Sequence, residues 1–238
     1  MNYAIIAAGE STRIKTEGLN TPKHLIKLGS EYLIERIIRI ASENGANIIS
    51  CIINENEPEL KEYLHNNKFS VPVKCIVKNT RSSMHSLFEL SPYNSEEPFV
   101  LLTTDSVFDE KEFASFINYS TEQKEVEGIL AVTNYIDDEK PLCVRINEKG
   151  LIKEFGDSKE GYIWATGGLY YLNPSIFNEM QYALATGINH LRNYFRLLIN
   201  KNYRLRTYHF SKIIDVDHVT DIKKAEDFIK SIKAKEIK

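Results

Sequence analysis

Residues 3–23 constrain this chain more than any other stretch. Tyr3 to Ala8 is a short apolar run carrying the β-branched Ile5 and Ile6. Such a run suits a strand buried on both faces, as in a parallel sheet. It passes directly into Gly9, Glu10, Ser11 and Thr12, a turn rich in small residues whose backbone N–H groups can face an anion. Arg13 sets a permanent cation beside that turn. Lys23, after the φ-restricted Pro22, supplies a second. A strand, a small-residue turn and two cations this close together describe a phosphate site.

The turn is neither of the common phosphate loops. A Walker loop needs a Gly-Lys pair five residues after its first glycine, and Gly9 is followed at that place by Ile14. The dinucleotide fingerprint is absent as well. Its acidic residue belongs about 20 residues on, where this chain reads Leu28-Gly29-Ser30.

Downstream, apolar periodicity predicts a helix over Tyr32 to Ala41, stopped by Gly45, then a strand over Ile48 to Ile53. A helix opened by Pro58, a strand over Val71 to Val77, a buried strand over Phe99 to Thr103, a helix over Lys111 to Tyr119 and a strand over Gly128 to Val132 follow. This alternation implies a parallel sheet with right-handed crossovers. Further on, strands are expected over Leu142 to Ile146, Leu151 to Phe155, Trp164 to Leu172, Arg204 to Phe210 and Ile213 to Val216. Helices are expected over Pro174 to Tyr182, His190 to Asn200 and Val219 to Lys235. No linker interrupts the chain, so residues 1–238 are expected to form one domain. Residues 1–135 would be mainly the nucleotide-binding half and 136–238 mainly the acceptor-binding half.

Charged residues make up 26% of the 238 and hydrophobic ones 42%, which implies a globular chain rather than a disordered one. A net charge of −3 gives no footprint for nucleic acid. Cys51, Cys75 and Cys143 are odd in number and widely spaced, suggesting neither a disulfide framework nor a zinc site, and hence a cytoplasmic protein. No apolar run is long enough to span a membrane, and residues 3–8 lack the basic leader of a signal peptide.

Ala7-Ala8-Gly9-Glu10-Ser11-Thr12-Arg13, followed by Pro22-Lys23, resembles the signature of the sugar-1-phosphate nucleotidyltransferases and the related cytidylyltransferases. That pattern is A-A-G-x-G-[ST]-R-[LM], then P-K. Its second glycine is Ser11 here, a small residue that can itself donate a hydrogen bond. The resemblance implies a Rossmann-like mixed, mainly parallel sheet flanked by helices. The implied partners are an NTP and a phosphorylated acceptor, with release of pyrophosphate; oligomeric state stays open. It assigns catalysis to Arg13 and Lys23, and nucleotide binding to Ala7, Ala8, Gly9, Glu10, Ser11 and Thr12.

On residue type alone Asp105 is a turn or cap residue. Family members carry an acidic Mg²⁺ ligand at this strand end, and Asp105 matches it. Asp215-Val216-Asp217-His218-Val219-Thr220-Asp221-Ile222 resembles the family's closing motif, in which Asp217 matches the second Mg²⁺ ligand and Asp221 reads as a first-turn helix residue. Ser82 and Ser83 occupy the place of a small pair that contacts the base, or simply cap a helix. Trp164 to Tyr171 resembles the acceptor strand of the sugar branch: Trp164 can stack on a sugar ring or serve as core, and Gly168 allows close approach to the backbone. Two other readings stay open: a cytidylyltransferase acting on a phosphoalcohol such as phosphocholine, and a nucleotide-binding sensor without turnover.

Overall fold

The structure is a computed structural model describing residues 1–9, 12–19 and 21–236. The expectations for Glu10 and Ser11 lie outside the described residues, as does the Thr12 side chain. The strands are, in chain order, β1 (Asn2–Ala7), β2 (Lys27–Leu28), β3 (Glu31–Tyr32), β4 (Ile48–Ile53), β5 (Val73–Val77), β6 (Phe99–Thr103), β7 (Ser106–Phe108), β8 (Gly128–Thr133), β9 (Cys143–Ile146), β10 (Ile152–Gly156), β11 (Trp164–Leu172), β12 (Leu205–Phe210) and β13 (Ile213–Asp215). The helices are α1 (Thr12–Thr16), α2 (Leu33–Glu43), α3 (Pro58–Asn66), α4 (Ser83–Glu89), α5 (Glu110–Glu122), α6 (Met180–Ala185), α7 (Leu191–Asn200) and α8 (Val219–Glu236).

Nine of the described strands form one mixed sheet in the order β10-β9-β11-β6-β1-β4-β5, with β8 on β11 and β12 on β8. β1 lies parallel to both β4 and β6, β4 to β5, and β8 to β12, whereas β11 runs antiparallel to its neighbours. Both faces are covered. Tyr3, Ile5 and Ala7 pack into one core with α2 residues such as Ile34 and Ile37, while Ala4 and Ile6 pack into another with Leu87 of α4 and Phe195 of α7. Burial on alternate sides explains why β1 reads as a continuous apolar run. Gly45 ends α2 with a φ of 81°, a conformation glycine adopts without a Cβ penalty. Among the described residues no helix is long and apolar enough to cross a membrane.

A second, two-stranded ribbon pairs β7 with β13 antiparallel, Ser106 opposite Asp215. It lies over a third, smaller core made of Ile14, Leu33, Val107, Ile214, Val216 and Ala225. That core draws the first loop, the end of β6 and the start of α8 together. The expected helix over Pro174 to Tyr182 is divided into a 3₁₀ turn (Pro174–Glu179) and α6.

Gly167 and Gly168 sit at a register break in β11, between Thr166 and Tyr170. Gly168 has a φ of 73°, and a Cβ there would fall 2.4 Å from the hydroxyls of both Ser106 and Thr103. The space beside Gly168 that a Cβ would fill is thus taken by side chains of β6 and of the ribbon. Gly168→Ala is expected to destabilise the fold by about 3 kcal/mol, combining left-handed strain with overpacking. Urea denaturation measures this. An unchanged midpoint would mean that the ribbon moves away freely.

Candidate active site

The parallel strands β1, β4 and β6 end on the same side of the sheet, where ligands collect in open α/β folds. β1 delivers Gly9, and Arg13 lies in α1. β6 delivers Thr104 and Asp105. The β7–β13 ribbon returns the chain, and the Val216 N–H donates to the Asp105 carbonyl at 3.0 Å. That backbone bond sets Asp217 beside Asp105. Asp221 in the first turn of α8 accepts from the backbone N–H groups of Asp217 (3.2 Å) and His218 (2.9 Å), so it is a helix-start residue as expected.

Lys23 lies between the two carboxylates. Its Nζ donates to Asp105 Oδ2 at 2.6 Å and to Asp217 Oδ1. Since one nitrogen touches both, these oxygens are within roughly 5 Å of each other. Arg13 Nη1 reaches Asp217 Oδ2 at 2.5 Å. Lys23 is buried, whereas the Arg13 side chain is 45% exposed. All four of Arg13, Lys23, Asp105 and Asp217 thus form one cluster.

Burial would strip charge from Lys23, but Asp105 and Asp217 outweigh it and hold the ammonium above its ordinary pKa. Burial would likewise raise Asp105, and the Lys23 ammonium overcomes this to hold it below the usual carboxylate range. Asp215, which accepts from Ser106 Oγ at 2.9 Å, is pushed up by burial and by the charge on Asp105. The cluster thus favours the ionised form of Asp105 against the Lys23 ammonium and leans Asp215 toward its protonated form.

His24, absent from the sequence-based site, is buried against these groups. Its Nδ1 lies 2.5 Å from Thr104 Oγ1 and its Nε2 is 3.5 Å from Glu57 Oε2. Lys23, Asp105 and Lys15 also act on it, and burial first, then the Lys23 charge, push it down to about 4. The unfolded chain takes up this proton near 6.5 and so binds more protons than the fold as pH falls from about 6.5 to 4. Stability is lost across that window, by about 3 kcal/mol at most. Asp215 has the opposite sign, because a raised carboxyl destabilises the fold as pH rises. Comparison with His24→Asn isolates the histidine: the variant should lose less stability between pH 6.5 and 4 than the wild type. Equal losses in thermal melts would mean that the ring is already protonated in the fold.

A cavity of about 320 Å³ opens beside Arg13 and Asp217, walled by Thr166, Gly167, Asp215 and Tyr135. Gly167, rather than Gly168, faces it. Trp164 does not line it: its ring stacks on His209 at 4.0 Å. Gly167 and Gly168 lie within the register break of β11, whereas Trp164 precedes it and pairs with Val144. Ser82 precedes α4 and its hydroxyl lies 3.0 Å from His85 Nδ1, while Ser83 is exposed at the helix start. Among the described residues neither is bonded to the Arg13–Lys23 cluster. Glu17 is a further missed contact. It pairs with His218 at 2.5 Å and accepts from the Val219 N–H at 2.7 Å, clamping the end of α1 to the start of α8. Among the described residues no group of three or more His, Cys, Asp or Glu side chains is arranged to hold a metal ion.

The family described as nucleotidyl transferase matches residues 3–232. The chain is 26% identical to the bifunctional IPC transferase and DIPP synthase of Aquifex aeolicus (strain VF5), over 76% of this chain and 41% of that protein. It is 21% identical to the mannose-1-phosphate guanylyltransferase catalytic subunit beta of Drosophila melanogaster, over 74% of this chain and 49% of that one. The chain thus spans about half the length of the curated relatives it matches. In fold it is similar to the inositol-1-phosphate CTP transferase of T. maritima, with a TM-score of 0.82 at 19% identity, covering 98% of this chain and 96% of that one. It is also similar to a UDP-glucose pyrophosphorylase solved with UDP-glucose, with a TM-score of 0.78 at 18% identity, covering 97% and 98%.

Proposed function

The chain belongs to the nucleotidyl transferase family, and on that premise we propose that it transfers a nucleotidyl group from an NTP to a phosphorylated acceptor, in the first place a sugar 1-phosphate. The observation that carries this is the cluster itself: Arg13 and Lys23 converge with Asp105 and Asp217 at the strand ends, beside a cavity sized for a small acceptor.

An oxygen of the acceptor's phosphate attacks the α-phosphorus in line. The new P–O bond forms as the bond to the β-phosphate breaks, and pyrophosphate leaves with the electron pair. Such a reaction needs positioning and charge neutralisation more than covalent chemistry from the protein. Lys23, buried and held charged, neutralises phosphoryl oxygens, and Arg13, more exposed, neutralises the departing pyrophosphate. Both cations are now paired with carboxylates, so each exchanges a carboxylate for a phosphate when the nucleotide arrives.

Asp105 and Asp217 suit Mg²⁺ on chemical grounds: two hard oxygen donors within roughly 5 Å, already holding a cation between them. They are the residues that would hold it, and it would supply charge neutralisation at the phosphates. Ala7, Ala8 and Gly9 would carry the nucleotide's phosphates, with Ser82 and Ser83 toward the base. The free Cys51, Cys75 and Cys143 accord with a cytoplasmic setting.

A second reading has support of its own. Asp138 and Glu139 belong to the cavity wall, and carboxylates there suit an acceptor carrying a positive charge, as a phosphoalcohol such as phosphocholine does. A pyrophosphate-release assay across the four NTPs, a panel of sugar 1-phosphates and phosphocholine, with Mg²⁺, separates the two. Release with one sugar 1-phosphate is the expected result. Release with phosphocholine alone would favour the second reading, and tight NTP binding without release would leave a nucleotide sensor.

A further inference from the structure

Lys23 and Asp105 lie on different loops, 82 residues apart in sequence. Lys23 sits in a single 3₁₀ turn, Lys23–Leu25, which has no side-chain cap. Asp105 follows β6 in a tight turn. Short loops of this kind are the softer parts of a fold. The ion pair between them is also temporary on the reading above, since an arriving phosphate competes for Lys23.

The residue next to each partner forms a second tie. His24 follows Lys23, Thr104 precedes Asp105, and His24 Nδ1 lies 2.5 Å from Thr104 Oγ1. Both side chains are buried, at 3% and 1% exposure. The far side of the ring faces Glu57, in the loop that opens α3, and the backbone of Gly9 also acts on it. One imidazole therefore sits among the loops after β1, β4 and β6 together with the lysine turn.

We infer that His24 is a positioning residue: through Thr104 it holds the Lys23 turn against the Asp105 turn, so that Lys23 keeps its place when it exchanges a carboxylate for a phosphate. This rests on the proposal that Lys23 and Asp105 act on an NTP. The His24–Thr104 contact involves no ion pair, so an incoming triphosphate does not compete for it. A buried hydrogen bond in a low-dielectric setting is well suited to such a role.

The test uses the full chain. His24→Leu keeps bulk and loses the hydrogen bond. His24→Asn keeps a polar atom where Nδ1 stood, and His24→Gln one where Nε2 stood. Thr104→Val removes the same contact from the other side, should a histidine variant fail to fold. On the proposal, His24→Leu and Thr104→Val each lower kcat about thirtyfold at saturating substrates while KM for the acceptor moves less than threefold. His24→Asn recovers most of kcat, His24→Gln does not, and the double variant His24→Leu with Thr104→Val is no worse than the poorer single one. Unchanged kcat in the two single variants overturns the proposal, as does rescue by His24→Gln rather than His24→Asn.

Hydrogen exchange of the substrate-free protein gives a reading that needs no turnover. Loss of the contact should speed exchange at residues 23–26 and 103–105 together, and unchanged exchange at either segment overturns the proposal. If the wild type releases no pyrophosphate with any substrate pair, the functional reading fails, and the exchange data alone decide whether His24 ties the two turns.

Discussion

Replacing Lys23 with alanine lowers turnover at saturating NTP and acceptor by a hundredfold or more, equivalent to about 3 kcal/mol of transition-state stabilisation. The expected size follows from where the ammonium lies. It is buried, it is held charged by two carboxylates, and it stands at the end of the sheet where the phosphates would gather. A charge in such a place is screened little by water and acts more strongly than one at the surface. The same substitution removes the cation between Asp105 and Asp217, which then repel across roughly 5 Å. Lys23→Ala should therefore melt at a lower temperature than wild type, and millimolar Mg²⁺ should recover more of that loss than it adds to wild type. Steady-state kinetics and thermal melts with and without Mg²⁺ read both effects. Normal turnover at saturating substrates would remove Lys23 from catalysis. A melting temperature insensitive to Mg²⁺ would mean that the two carboxylates do not share a cation.

How much of this was legible in the chain depended on the kind of signal. Ile48–Ile53, Phe99–Thr103 and Trp164–Leu172 have the bounds that their apolar runs indicate, because strands covered on both faces end where polar or turn residues begin. β13 lies within the strand expected over Ile213 to Val216, but β7 is only three residues long and carries no readable period, so its pairing into the ribbon that joins Asp105 to Asp217 could not be seen in the sequence. The closeness of those two aspartates was foreseeable only through family resemblance. Gly168 shows a different limit: its left-handed φ and its place in the register break between Thr166 and Tyr170 are set by tertiary pairing, which residue type alone does not announce. His24 reads in sequence as one more polar residue after the lysine. Its burial against Thr104 is a tertiary fact, with no local pattern to announce it.

The metal expectation turns on the two carboxylates. Asp105→Asn and Asp217→Asn each keep the shape of the side chain and remove its charge. The backbone bond from Val216 to Asp105 does not involve either side chain, so the register of the β7–β13 ribbon should survive both changes. Loss of turnover in these variants then reports lost charge rather than lost position. Each should lose most Mg²⁺-dependent turnover, on the order of a hundredfold, as expected for removing one hard oxygen ligand from a site with few. If both serve one ion, the double variant should be little worse than the poorer single one, since the second substitution removes a ligand from a site already vacated. The side effects of the two differ, which helps the test. Asp217→Asn also breaks the ion pair with Arg13, so it should weaken NTP binding differently from Asp105→Asn, whose side chain is paired with Lys23. Titrating Mg²⁺ against each variant resolves the matter. A shared ion predicts that both single variants need more Mg²⁺ for half-maximal turnover, whereas multiplicative losses with unchanged Mg²⁺ dependence would assign the aspartates two separate tasks, most simply the orientation of Lys23 by one and of Arg13 by the other.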